Sequence, residues 1–178
     1  MTRFLLALAL CVSLSACRRR ETEQPWTVAS SDVATDLANG MHLVTGILDT
    51  WAAAKTSTPG KRVVVDNHVY DPPSERGAPR YVVIDTTQHV PFIFESAPTA
   101  VEDSTGRTVP GIALDPKYTQ KLKEFMSQHL GKSVAIIVDG ELVSVHKIRA
   151  VIAEGKMQIT SCGADVCKVL HSKLVGKD

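Results

Sequence analysis

The stretch that most constrains the fold is residues 115–160, DPKYTQKLKEFMSQHLGKSVAIIVDGELVSVHKIRAVIAEGKMQIT. It opens as a helix. The Asp115 side chain is suited to accept free N–H groups of a first turn, and Pro116 suits the first helical position because its missing N–H is not needed there. Tyr118, Leu122, Phe125, Met126 and His129 recur at helical spacing, and Gly131 is a natural stop. Ser133 to Val138 follows at once as an almost wholly apolar strand. Asp139-Gly140 is a two-residue hairpin signal, since a type I′ turn needs positive φ at both central residues. Glu141 to Val145 forms the return strand, and Met157 to Thr160 reads as one more short strand.

The runs SVAIIVDGELVS at 133–144 and GKMQIT at 155–160 resemble the head of the first periplasmic region of SecD, the protein-export membrane subunit. In that family a helix ending in Gly leads to an apolar strand, a DG hairpin, a Ser, and then a Gly-Gln-Ile strand before a final helix. The corresponding last helix here is roughly Gly163 to Val175. The resemblance covers about residues 91–174. It departs at Val145-His146, where the family usually has Ala-Pro, and in lacking the family's membrane-spanning bundle. It implies an α+β fold, a mostly antiparallel sheet with helices packed on one face. It further implies a head that contacts exported chains, a protein-binding module with no cofactor and no chemistry of its own.

The first 17 residues read as a targeting segment rather than as structure. Arg3 supplies the positive start, and Phe4 to Leu14 is an apolar run too short to be a mature membrane span. It ends in Leu14-Ser15-Ala16-Cys17, which resembles the lipobox of bacterial lipoproteins. Cys17 is then the expected lipidation site, with 1–16 a signal peptide and 17–29 a lipidated tether; the rival reading is an ordinary cleaved signal with a Cys near its end. One acyl chain binds a membrane marginally and several bind it stably. Arg18, Arg19 and Arg20 add about 1 kcal/mol each near an anionic surface, if they are not simply solvated. Arg18 is not the Asp that retains enterobacterial lipoproteins in the inner membrane, so the expected location is a periplasm-facing lipid anchor, the outer membrane favoured over the inner. The 20 basic and 19 acidic residues give a net charge of +1, which argues against a nucleic-acid partner. Removing 1–16 takes away Arg3 alone, leaving 19 basic against 19 acidic.

Between tether and head, Val33, Leu37, Met41, Val44, Leu48 and Trp51 step by threes and fours. That spacing predicts a helix, capped at Ser30 or Ser31, with one apolar face. The face would cover the protein's own sheet or dock a partner. Gly40 and Gly46 weaken it locally, and KTSTPG at 55–60 ends it. Lys61 to Val65 and Tyr81 to Ile84 are strand-like runs separated by the loop DPPSERGAPR at 71–80. Phe92 and Phe94 share one face of a strand, Ser96 to Pro110 is polar and turn-rich, and Ile112 to Leu114 is a short strand. The expected organisation is an N-terminal helix and strands over 30–90 and the SecD-head-like domain over 91–178, with the Pro72-Pro73 loop as the seam.

Cys11 leaves with the signal, so Cys162 and Cys167 remain as a pair. In an oxidising envelope such a pair is a disulfide candidate worth roughly 2 kcal/mol for so small a loop; a redox pair or two ligands of a metal site are the rivals. The six histidines are scattered, and no metal or catalytic motif joins them. Asp139 reads as a turn residue rather than a catalytic carboxylate, and Ser144 has no base beside it in sequence. Catalytic residues, metal ligands and cofactors are therefore expected to be absent. The reading is a non-enzymatic envelope lipoprotein that holds a periplasmic protein or peptide, by sheet-edge pairing or by loops beside Asp139 and Gly140. The alternatives are a periplasmic immunity or inhibitor lipoprotein, and an enzyme whose site would gather His68, His89 or His146 with a carboxylate.

Overall fold

The computed structural model describes residues 37–50, 58–160 and 162–176. Lipidation at Cys17, the signal, the tether and the start of the expected N-terminal helix lie outside these residues. The described elements are β1 (Gly40–Leu48), β2 (Lys61–Asp66), a 3-10 turn (Pro73–Glu75), β3 (Arg80–Pro91), β4 (Thr99–Glu102), β5 (Thr108–Ala113), α1 (Pro116–Gln128), β6 (Ser133–Val138), β7 (Glu141–Lys147), β8 (Lys156–Gln158) and α2 (Ala164–Val175). Every strand pair is antiparallel. Five strands form one sheet in the order β2-β3-β1-β6-β7, and three form a second, β4-β5-β8.

The α+β architecture with helices on one face is as the sequence implies. α1 starts where expected: the Asp115 carboxylate accepts the Lys117 N–H at 2.9 Å, with Pro116 in the first turn. Its stripe of Leu122, Phe125 and Met126 is buried against Val134, Ile136 and Val138 of β6, Met41 of β1 and Val90 of β3. The buried Leu170 and Leu174 of α2 join the same core. The opposite face of the five-stranded sheet carries a second core of Val64, Val82, Ile84, Ala135, Ile137 and Leu142, with Leu37 beside them. The sheet curls around this core until its edge strands β2 and β7 approach each other.

The expected Val33–Trp51 helix is corrected over its described part. Residues 40–48 are a strand, paired with β3 on one side and β6 on the other. Two register shifts on the β3 side, between His42 and Leu43 and between Val44 and Gly46, break the two-residue alternation. Apolar residues then recur at three and four, imitating a helix. Gly40 is required by packing: a Cβ there would overlap the Val90 carbonyl oxygen. The polar 96–110 segment is also a correction, because it contains the β4–β5 hairpin. The Asp103 side chain closes that turn by accepting N–H groups of Thr105 at 2.8 Å and Arg107 at 3.0 Å. Phe92 and Phe94 are near neighbours, their ring centres 6.1 Å apart, but Phe92 follows β3 and Phe94 bridges singly to Leu114. β2 and β3, on either side of the Pro72-Pro73 loop, pair with each other, and β1 lies between β3 and β6, so the sheet takes strands from both sides of residue 90.

Candidate binding surface

The β6–β7 hairpin turns as its sequence requires. Asp139 has φ 51° and Gly140 φ 73°, the two positive values of a type I′ turn. Asp139 is exposed, and its N–H donates to the Asn39 side-chain oxygen at 2.7 Å. The residue ahead of β1 therefore holds the hairpin tip from a hundred positions away. The contact cannot be read from local pattern, because nothing near Asn39 in sequence signals its partner.

Beside the tip lies a three-part polar joint. Glu141 Oε2 accepts the Tyr70 hydroxyl at 2.6 Å and the Lys173 ammonium at 2.7 Å, and Lys173 Nζ also approaches the Tyr70 hydroxyl oxygen at 3.2 Å. The Lys173 ammonium stands 5.9 Å from the centre of the Tyr70 ring. The joint ties together the loop after β2, the start of β7 and the last turn of α2. Its electrostatics are mutually consistent. The Lys173 bond, then the Tyr70 bond, hold the Glu141 carboxyl below its ordinary range. The Glu141 bond pushes Lys173 up to about 12. Burial and the Glu141 carboxylate push the Tyr70 phenol up, so all three keep their usual protonation at neutral pH.

A disulfide braces the joint from behind. Cys162 and Cys167 are bonded, Cα atoms 5.2 Å apart, and both are buried. Between them the Gly163 N–H donates to the Tyr70 carbonyl at 3.0 Å, and the Gly163 carbonyl accepts the Cys167 N–H at 2.8 Å. The bridge thus fixes the start of α2 against the Tyr70 loop.

On the same loop, where the two sheet edges approach, lies a second polar group. Arg80 donates to Asp66 at 2.9 Å, His68 Nδ1 is 2.7 Å from Asp71 Oδ2, and the His68 N–H donates to Asp66 at 3.1 Å. Across the seam, Ser144 Oγ is 3.0 Å from His146 Nε2. His146 is exposed at the surface, yet the protein packed beside it lowers its pKa, and the Asp71 charge opposes this. A serine beside an imidazole is the first half of a nucleophile–base pair, yet the Asp71 carboxylate is bonded to His68, and Ser144 is buried. The structure brings His68 and His146 to this seam and puts His89 elsewhere, stacked on His42. No group of three or more His, Cys, Asp or Glu able to hold a metal occurs among the described residues.

An open groove of about 550 Å³ crosses the three-stranded sheet, between Ser96 and Ala97, Thr99 and Val101 of β4, Gly111 of β5, and Met157 and Gln158 of β8. Its walls are mainly apolar side chains and backbone. β4 has a partner on one side only, and an edge strand of this kind presents unpaired backbone groups. The polar composition of 96–110 concealed both strand and groove. No described helix is long and apolar enough to cross a membrane.

Residues 82–166 match the family model for the SecDF P1 head subdomain, a span from within β3 to the first turn of α2. No curated protein matches the chain. Among solved structures, SecDF in its super-membrane-facing form is 20% identical, with a TM-score of 0.48, covering 85% of this chain and 21% of that one. A structure of SecDF described as a membrane component that enhances protein export is 19% identical, TM-score 0.44, covering 87% and 71%. SecDF from Thermus thermophilus, a translocon-associated membrane protein, is 14% identical, TM-score 0.39, covering 80% and 30%. Over residues 82–166, then, this chain is similar to the P1 head subdomain of SecDF.

Proposed function

We propose that this protein is a non-enzymatic lipoprotein of the cell envelope that holds an extended protein segment in the periplasm, in the service of protein export or envelope assembly. The match of residues 82–166 to the SecDF P1 head carries this reading. Lipid on Cys17 anchors the chain, residues 17–29 act as a tether, and the remainder forms the binding domain, with the outer membrane as the favoured site. The bound segment adds to the free side of β4, and its side chains reach over β4 into the groove toward β8. Main-chain hydrogen bonds there give affinity without demanding one sequence, while Val101 and Met157 offer apolar contact. Nucleic acid is not a partner and no cofactor is needed.

The test is in-cell crosslinking of the full lipoprotein in its own membranes, from a photoreactive residue at Thr99 or Gln158. The Cys17→Ser form reports the need for the anchor, and a photoreactive residue at exposed Glu124 on α1 is the background. The expected result is adducts to exported polypeptides from the two groove positions, absent from Glu124 and reduced without lipid. A folded, lipidated protein that gives the same adducts from all three positions, or none, overturns the reading.

A further inference from the structure

Two histidines meet in the fold for a reason that the binding surface does not explain. His42 of β1 and His89 of β3 are direct cross-strand partners at the register shift between His42 and Leu43. Their rings stack with centres 5.0 Å apart and planes within 9°. The His42 side chain is buried at 1% exposure. Its Nε2 lies 2.9 Å from the Ala38 carbonyl. A carbonyl only accepts, so Nε2 carries the proton and Nδ1 holds a lone pair. That Nδ1, and Nδ1 of His89, are buried without a well-formed hydrogen bond, although the Asp85 backbone lies close enough to His42 to favour its protonated form. Buried polar atoms normally form such a bond.

The surroundings make this pair sensitive to a single proton. From β6, the residue opposite His42 is Ala135, and from the preceding segment come Leu37 and Ala38, none of which titrates. From β3 come His89 and Asp85. The Asp85 carboxylate is already engaged by the Thr87 hydroxyl at 2.6 Å and N–H at 2.9 Å and by the Gln88 N–H at 3.2 Å, and Lys61 of β2 faces it. The shift of His42 accordingly carries no contribution from a carboxylate charge. Burial lowers the His42 pKa, and the His89 ring adds to this; the Ala38 and Asp85 backbones oppose it. With the folded value below the unfolded one, stability is complete above the unfolded pKa near 6.5 and falls as pH drops through it.

The pair also has a mechanical connection. Ala38, which receives the His42 N–H, is followed by Asn39. The Asn39 side chain accepts the Asp139 N–H at the hairpin tip at 2.7 Å, and its carbonyl accepts the Phe92 N–H at 2.9 Å. We propose that the His42–His89 stack is a proton-responsive joint: when the pair takes up a proton the stack parts, the Ala38–Asn39 segment moves with it, and the Asp139–Gly140 tip loses its anchor. The device holds whether or not the tip touches a ligand, so it stands apart from the proposed function.

The experiment is a pH titration of the full-length chain between 7.5 and 5.0, following the ring signals of both histidines and the backbone amides of Asp139 and Gly140 by NMR. Glu141, held below its ordinary carboxyl range, stays ionised over this range, so an amide response centred above pH 5.5 does not come from it. The expected result is a tip response with the same midpoint as the ring titration. It is lost in His42→Gln and His89→Gln, whose side chains cannot gain the charge. In Asn39→Ala the His42 ring still titrates while the tip stays in one state. Should a Gln variant fail to fold, the wild-type titration decides alone. Tip amides indifferent to pH, or ring and tip midpoints that differ by a unit or more, overturn the proposal, as does a tip response unchanged in both Gln variants.

Discussion

Two polar joints in this protein solve the same problem in opposite ways. The Tyr70–Glu141–Lys173 joint and the His42–His89 stack each hold together segments far apart in sequence, and each depends on a buried ring. In the first, the Tyr70 hydroxyl donates and Glu141 accepts both the phenol and the ammonium, with the charged groups reaching solvent. In the second, the rings lie inside the sheet's pairing with one ring nitrogen each lacking a well-formed hydrogen bond. A fully satisfied cluster resists changes of pH because every proton has a partner that prefers it in place. An incompletely satisfied one is placed to convert a proton into movement, since burial opposes the new charge.

The strongest way to break this contrast is to remove the ring from the satisfied joint. Tyr70 is buried to 4% exposure in the main core. Tyr70→Ala should cost about 3–5 kcal/mol, as other large aromatic truncations do, read as a lower urea midpoint. Tyr70→Phe keeps the packing and removes only the hydroxyl, so its expected cost is about 1 kcal/mol. Equal effects for the two variants would mean that the polar bonds, not the ring, hold the loop.

Next in size is the brace. Replacing Cys162 and Cys167 together by Ser removes a crosslink between residues five apart, for which chain entropy gives about 2 kcal/mol. Hydrogen exchange should rise at the Gly163 amide, which bonds the Tyr70 carbonyl, and remain unchanged at the Asp139 amide held by Asn39. A simultaneous rise at both amides would show that the two joints act as one unit.

The satisfied joint was also the harder to read from sequence. Tyr70, Glu141 and Lys173 are separated by 71 and 32 positions, and only tertiary packing joins them. The Asp115 cap, the α1 stripe and the Asp139-Gly140 turn were legible because each rests on neighbours within four residues. β1 was not, because its two register shifts gave Met41, Val44 and Leu48 a helical spacing. β4 and the first part of β5 were hidden by composition, although Ile112–Leu114 marked the end of β5: Pro110 lacks an N–H, which argues against a central strand, yet here its carbonyl accepts the Ile159 N–H at 3.0 Å across the pairing with β8. Cys162 and Cys167 were legible as a pair because their spacing and the expected compartment limited the choices. That the bridge steadies the Tyr70 loop needed the fold.

Acid should separate the joints without any substitution. Glu141 is held below its ordinary carboxyl range and Lys173 is raised to about 12, so the satisfied joint keeps its charges from pH 7.5 to 5.5. A depressed carboxylate contributes above its unfolded pKa and loses that contribution only as pH falls through its folded value; a raised ammonium contributes below its unfolded pKa and loses it only near 12. The His42 and His146 values are lowered, so their contribution declines as pH falls below about 6.5. Thermal melts should show a lower Tm at pH 5.5 than at 7.5, and His42→Gln should narrow the gap. An undiminished gap in that variant would assign the acid sensitivity to His146 or another group.

The smallest effect sharpens the comparison most. Lys173→Met removes the ammonium that stands 5.9 Å from the Tyr70 ring centre while keeping most of the apolar stem. Glu141 is 55% exposed at its side chain and Lys173 26%, so water screens the pair, and exposed pairs of this kind are worth about 0–1 kcal/mol. The double-mutant cycle of Lys173→Met with Glu141→Gln should therefore give a coupling below about 1 kcal/mol that shrinks further in high salt. A coupling of 2 kcal/mol or more that ignores salt would mean the charges sit in a drier site than their exposure implies. The joint would then owe its stability to electrostatics rather than to the buried ring, and the distinction from the histidine stack would rest on satisfied hydrogen bonds alone, since both clusters would be equally cut off from water.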